Sequence, residues 1–147
     1  MIYAAPPSPP ALVASAPVLA IPTLGIRTVV REGTGEAVLA RGPGFYAGSG
    51  RPGCGCTIAI AGHRVTPVPG FDGHGPFRWL NRLVRGARIY LRIGGRTTVY
   101  AVSGSEVLSP SDVAPLADIG HERLVLSTCT PPFSATYRLV VFALPVR

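Results

Sequence analysis

The apolar positions of this chain fall into short runs separated by clusters of glycine and proline, which is the punctuation of strands rather than long helices. IPTLGIRTVVREG (21–33) carries the β-branched content of strands, and CTIAIAG (56–62) is a continuous apolar run suited to a buried one. ARIYLRIGG (87–95) and RTTVYAVSGSEVL (96–108) alternate apolar with polar positions, and Gly94-Gly95 sits between them as a hairpin turn. RLVLSTC (123–129) and YRLVVFALPV (137–146) read as two further apolar strands joined by TPPFSAT.

Between these runs lie a glycine-dense loop, RGPGFYAGSGRPGCG (41–55), and a second loop, VTPVPGFDGHG (65–75). SPSDVAPLAD (109–118) reads as a loop or single helical turn. The spacing predicts one helix, PFRWLNRLVRG (76–86), opened by Pro76 and closed by Gly86, with Phe77, Leu80 and Leu83/Val84 on one face. Seven or eight strands with one short helix point to an all-β domain, a closed or nearly closed β-barrel. MIYAAPPSPPALVASAP at the start reads as a Pro/Ala-rich linker, so the expected division is an extension at 1–20 and a folded domain at 21–147.

Composition narrows the function classes. Charged residues are only 14% of the chain, too few for a disordered polyelectrolyte. The net charge is nevertheless +7, and all fourteen basic residues are arginine. That balance favours polyanionic surroundings, such as an anionic membrane face or an acidic wall. No basic block interleaved with aromatics is present, so nucleic acid is not an expected partner. The three cysteines are an odd set that does not suit a disulfide scaffold. Cys54 and Cys56 alternate onto the face of Ile58 and Ile60 and read as small apolar residues near the core. No second cysteine pair or histidine pair completes a metal site around them, so neither metal nor cofactor is expected. No apolar segment is long enough for a transmembrane helix.

Two strand ends carry reactive groups. Cys129 closes RLVLSTC, and His63 follows CTIAIAG in the same way. Arg138 opens the strand after the loop that follows Cys129, nine residues on, where a return of the chain brings a guanidinium toward the thiol. A thiolate is the nucleophilic form of cysteine. Arginine keeps its proton and donates well to a developing oxyanion, and histidine is suited to proton transfer to a leaving amine. Those are the parts of acyl transfer. A buried Cys, a capped His and a surface Arg fit the spacing equally well.

IPTLGI, REGTGEAVLARGPGFYAGSGRPG, IAIAGHR, PFRWLNRLVRGARI, VSGSEVLSPSDV and LVLSTCTPPFSATYRLVVFA resemble, in order, the landmarks of a sortase. The likeness runs from about residue 21 to the C-terminus and is strongest to the class E type of high-GC Gram-positive bacteria. It implies an eight-stranded sortase barrel with one or two short helices, and a cysteine transpeptidase that cleaves an LPXTG- or LAXTG-like signal between Thr and Gly. By motif, the resemblance puts the nucleophile at Cys129, the general acid/base at His63 and the oxyanion and substrate-stabilising group at Arg138, with Thr128 as a substrate-binding neighbour. The implied partners are the sorting-signal peptide of secreted proteins and an amine of a cell-wall peptide. The implied place is the outer face of the membrane or the wall, with a membrane anchor expected to be missing from this chain.

The chain departs from the family pattern in the loop after His63, which is long and contains His74, read as a loop histidine, and in the GCGC stretch. A bond from Cys54 or Cys56 to Cys129 would silence the thiol. His121, in a polar turn, is read as solvated. The alternative reading is a non-catalytic sortase-like barrel that binds wall or signal peptides. Other cysteine enzymes fit less well; a papain-like peptidase places its Cys before its His, the reverse of the order here.

Overall fold

Alternation along each strand decides which side chains fill the interior. In the computed structural model, which describes residues 16–65, 75–131 and 135–147, the alternating and continuous apolar runs become nine strands. They are β1 (Val18–Ile21), β2 (Ile26–Val29), β3 (Arg31–Glu32), β4 (Gly44–Phe45), β5 (Thr57–Ala61), β6 (Arg88–Ile93), β7 (Arg96–Leu108), β8 (Arg123–Thr130) and β9 (Tyr137–Pro145). All belong to one sheet, in the order β2-β1-β6-β7-β9-β8-β5-β4-β3.

The two ends of that order are one stretch of chain. Only Val30 separates β2 from β3; its N–H bonds to the Pro17 carbonyl beside β1, and the next N–H, of Arg31, bonds to Pro43 beside β4. A single extended segment thus pairs first with one edge of the sheet and then with the other, which leaves a nearly closed barrel. Taken as one strand, β2 and β3 bring the count to the expected eight. The approach at β3 and β4 is close enough to require glycine: a Cβ on Gly44 would lie 1.9 Å from the Gly33 carbonyl oxygen.

Leu19, Ile60, Leu91, Tyr100 and Leu126 are fully buried in the barrel interior. The Tyr100 hydroxyl donates to Glu122 at 2.8 Å, and burial, reinforced by that carboxylate, holds its proton above the usual tyrosine range. A smaller apolar cluster of Ala59, Val125 and Val140 lies on the outer face of β5, β8 and β9, beneath Tyr46 and Leu116. Buried on both faces, β5 reads as a continuous apolar run instead of an alternating one. Its pairing with β8 is parallel, with Ala61 opposite Ser127. A bulge at Ser103 shifts the register of the long strand β7 as it passes from β6 to β9.

Two expectations are corrected. The helix predicted at 76–86 is a set of turns with one short 3-10 segment, Leu80–Arg82. Phe77, Leu80 and Leu83 recur at intervals of three, the period of a 3-10 turn, so Phe77 and Leu80 reach the core without an α-helix. Arg78 and Arg82 stack on the Trp79 ring. The α-helical segment among the described residues is a single turn, α1 (Glu36–Leu39). Second, Cys54 and Cys56 are not core residues; they join each other in a disulfide at an exposed turn before β5, because the strand starts only at Thr57. The described residues begin two positions before β1, which starts at Val18. No helix among the described residues is long and apolar enough to cross a membrane.

Candidate active site

Strand direction assembles the site. Because β5 and β8 run parallel, both end at the same end of the barrel, and β9, antiparallel to β8, begins there. His63 follows β5 by two residues, Cys129 is the penultimate residue of β8, and Arg138 is directly opposite Cys129 in the β8–β9 register. Pro131 has no N–H to continue the ladder beyond Thr130. Along β8, Leu124, Leu126 and Thr128 face inward, which turns Val125, Ser127 and Cys129 to the outer face.

Cys129 is a half-buried free thiol, and the Arg138 Nη1 donates to its sulfur at 3.2 Å. His63, Cys129 and Arg138 line one groove of about 410 Å³, walled by Tyr46 and by Thr34, Glu36 and Leu39 at α1. The groove adjoins a pocket of about 150 Å³ whose walls include Pro110, Val113, Leu116, Val125 and Val140, and which shares Arg138 with it. Tyr46 and Ser127 share a hydroxyl–hydroxyl hydrogen bond of 2.8 Å at the groove wall. Another concavity, about 450 Å³, lies between the β1–β2 turn and Gly75–Trp79 and contains none of the three residues.

The backbone around His63 is tied down on both sides. Before it, the buried Thr128 hydroxyl donates to the Gly62 carbonyl at 2.7 Å, so Thr128 braces this segment from inside the barrel. After it, Arg64 is buried and donates to the carbonyls of Arg78 (2.9 Å) and Cys129 (3.3 Å) and to the Thr130 hydroxyl (2.9 Å). Burial, then the neighbouring Arg78 charge, lowers the Arg64 pKa from its ordinary value. It stays charged, since arginine does not lose its proton in proteins. The His63 carbonyl itself accepts from the Phe77 N–H.

Arg64 and Tyr46 are the residues that motif reading passed over. An arginine directly after AGH and before an apolar residue carries a faint signal, since a charge there has to find several acceptors. We expect Arg64→Met to strand the Arg78 and Cys129 carbonyls and to cost about 3 kcal/mol. The melting temperature should fall by roughly 10 °C. A melt within two or three degrees of wild type would show the bonds to be dispensable.

Of the other two histidines, only His121 is among the described residues, and it is apart from this groove. His121 is exposed on the turn before β8, near the Glu122 carbonyl, and His74 lies outside the described residues. The Cys54–Cys56 disulfide is at the opposite end of β5 from His63, and its bond leaves neither sulfur available to Cys129.

A Sortase domain family model matches residues 19–146. The curated Sortase SrtE1 of Streptomyces coelicolor is 32% identical over 144 residues, covering 84% of this chain and 38% of that protein. The chain therefore spans well under half the length of that relative. The fold is similar to that of Sortase A from Corynebacterium diphtheriae, with a TM-score of 0.81 and 29% identity over 90% of this chain and 61% of that one. It is also similar to Sortase E1 from Streptomyces coelicolor, solved with a tripeptide in its active site, at a TM-score of 0.80 and 30% identity over 90% of this chain and 88% of that one.

Proposed function

The chain belongs to the sortase family, and from that premise we propose that it is a cysteine transpeptidase acting on a sorting-signal peptide. The signal is LPXTG- or LAXTG-like and is cut between Thr and Gly; the acceptor is an amine of a cell-wall peptide. The observation that carries this reading is the Arg138 guanidinium 3.2 Å from the Cys129 thiol, in a groove that His63 also lines.

In this reading the Cys129 sulfur attacks the Thr carbonyl carbon. Arg138 faces both the sulfur and the oxygen that gains charge, and its planar fork suits an oxyanion and the peptide carbonyl beside it. As the C–N bond to Gly breaks, His63 gives its proton to the departing nitrogen, leaving a thioacyl enzyme. An incoming wall-peptide amine loses a proton to His63, forms the new amide and releases the sulfur. The neighbouring apolar pocket suits the leucine of the signal. Thr128 contributes by fixing the strand end that carries His63, its hydroxyl being committed to Gly62. The bound tripeptide in the Streptomyces coelicolor relative supports a peptide ligand for the same groove. Family membership supports a place at the Gram-positive wall.

Intact-mass spectrometry of the reduced protein mixed with LAXTG and LPXTG peptides tests this. We expect a mass gain equal to the peptide cut after Thr, removed by a nucleophilic amine. Peptide binding without any covalent gain would replace the transpeptidase with a binding barrel.

A further inference from the structure

Three exposed arginines share one outer face of the barrel. Register places Arg27 opposite Ala20 and Ala20 opposite Tyr90, while Val18 pairs with both Val29 and Arg92, and Arg88 pairs with Ala101. Directly opposed residues share a face, and the partners of the buried Leu19, Ile89 and Leu91 point inward. The outer face of β2, β1, β6 and β7 therefore presents Arg27, Arg88 and Arg92, all exposed, around Val18, Val29, Tyr90 and Val99.

The described acidic residues are placed elsewhere. Of the described ones, Glu32 pairs with Arg51, Glu36 is on α1, and Glu106 is on the far half of β7. Asp112, Asp118 and Glu122 follow on the β7–β8 connection. No ion pair among the described residues involves Arg27, Arg88 or Arg92.

We propose that this sheet face is a docking surface for an anionic lipid bilayer. The three guanidiniums match lipid phosphates in charge and geometry. The apolar residues and the tyrosine between them distinguish a bilayer from a hydrated polyanion. A lipid interface takes up valine side chains and an amphipathic ring while arginine stems reach the headgroups, whereas a soluble polyphosphate gains nothing from them. Strand order adds a geometric consequence. In the closed sequence β2-β1-β6-β7-β9-β8-β5-β4-β3, the groove on β9, β8 and β5 is about half a turn around the barrel from β1 and β6. A protein seated on this face holds its groove away from the lipid.

The test is co-sedimentation with phosphatidylcholine vesicles made with and without phosphatidylglycerol, at low and high salt. The wild type should partition at least about tenfold more onto the anionic vesicles and be released by salt. R27Q/R88Q/R92Q should lose about tenfold or more of that partition, and R41Q/R82Q, with substitutions off the face, should keep most of it. Adduct formation with the signal peptide should be unchanged in the triple variant, which keeps the outcome separate from that of the catalytic reading and reports a folded protein. Indifference to phosphatidylglycerol, wild-type partition by the triple variant, or equal retention by soluble polyphosphate would each overturn the proposal.

Discussion

Cys129→Ala is expected to abolish the peptide adduct and to lower signal-peptide cleavage by about four orders of magnitude or more, the scale seen when a covalent nucleophile is removed. The substitution deletes the sulfur, whose hydrogen bond among the described residues is to the half-buried Arg138 guanidinium, so it should barely change the melting temperature. Peptide binding should survive, because the groove walls are supplied by Tyr46, α1 and the apolar pocket. Loss of chemistry with retained binding and an unchanged melt separates a missing nucleophile from a damaged barrel. A Cys129→Ala protein that still cleaves at one part in a hundred of the wild-type rate would move the nucleophile elsewhere.

Arg138 carries the second large effect. Arg138→Ala should reduce kcat/KM by about a hundred- to a thousandfold, the usual consequence of losing a donor to an oxyanion. Arg138→Lys should recover little of this. An ammonium keeps the charge but cannot offer a planar pair of N–H groups from the same register position. Neither change should lower the melting temperature much, since Arg138 is only half-buried and contributes no core packing. Near-complete rescue by lysine would reduce the role of Arg138 to charge alone.

Much of this architecture was legible, and the parts that were not have a common cause. The β6–β7 hairpin was readable because Gly94-Gly95 supplies the positive φ at both positions, 60° and 81°, that its turn needs. β5 was readable because a strand covered on both faces has to be apolar throughout. Cys129 facing Arg138 follows from one local return of the chain. The position of His63 beside them does not, because it depends on parallel pairing between segments 66 residues apart, which no local pattern announces. The same holds for Arg64, whose three acceptors come from two distant parts of the chain, Arg78 and the adjacent Cys129 and Thr130. At Phe77 and Leu80 the interval of three was read as an α-helical face, yet the barrel needed only two plugs and a turn. Cys54 and Cys56 fall outside the alternation of β5 because that strand begins at Thr57, after both of them.

The parallel β5–β8 pair also orders events in time. β5 is complete when residue 61 has been made, but its neighbour β8 begins only at Arg123, and β9 ends two residues before the C-terminus. During synthesis the histidine end of the groove must wait until residues 123–130 have been made before its partner strand exists. A barrel in which β5 and β8 have not yet paired therefore has no assembled groove.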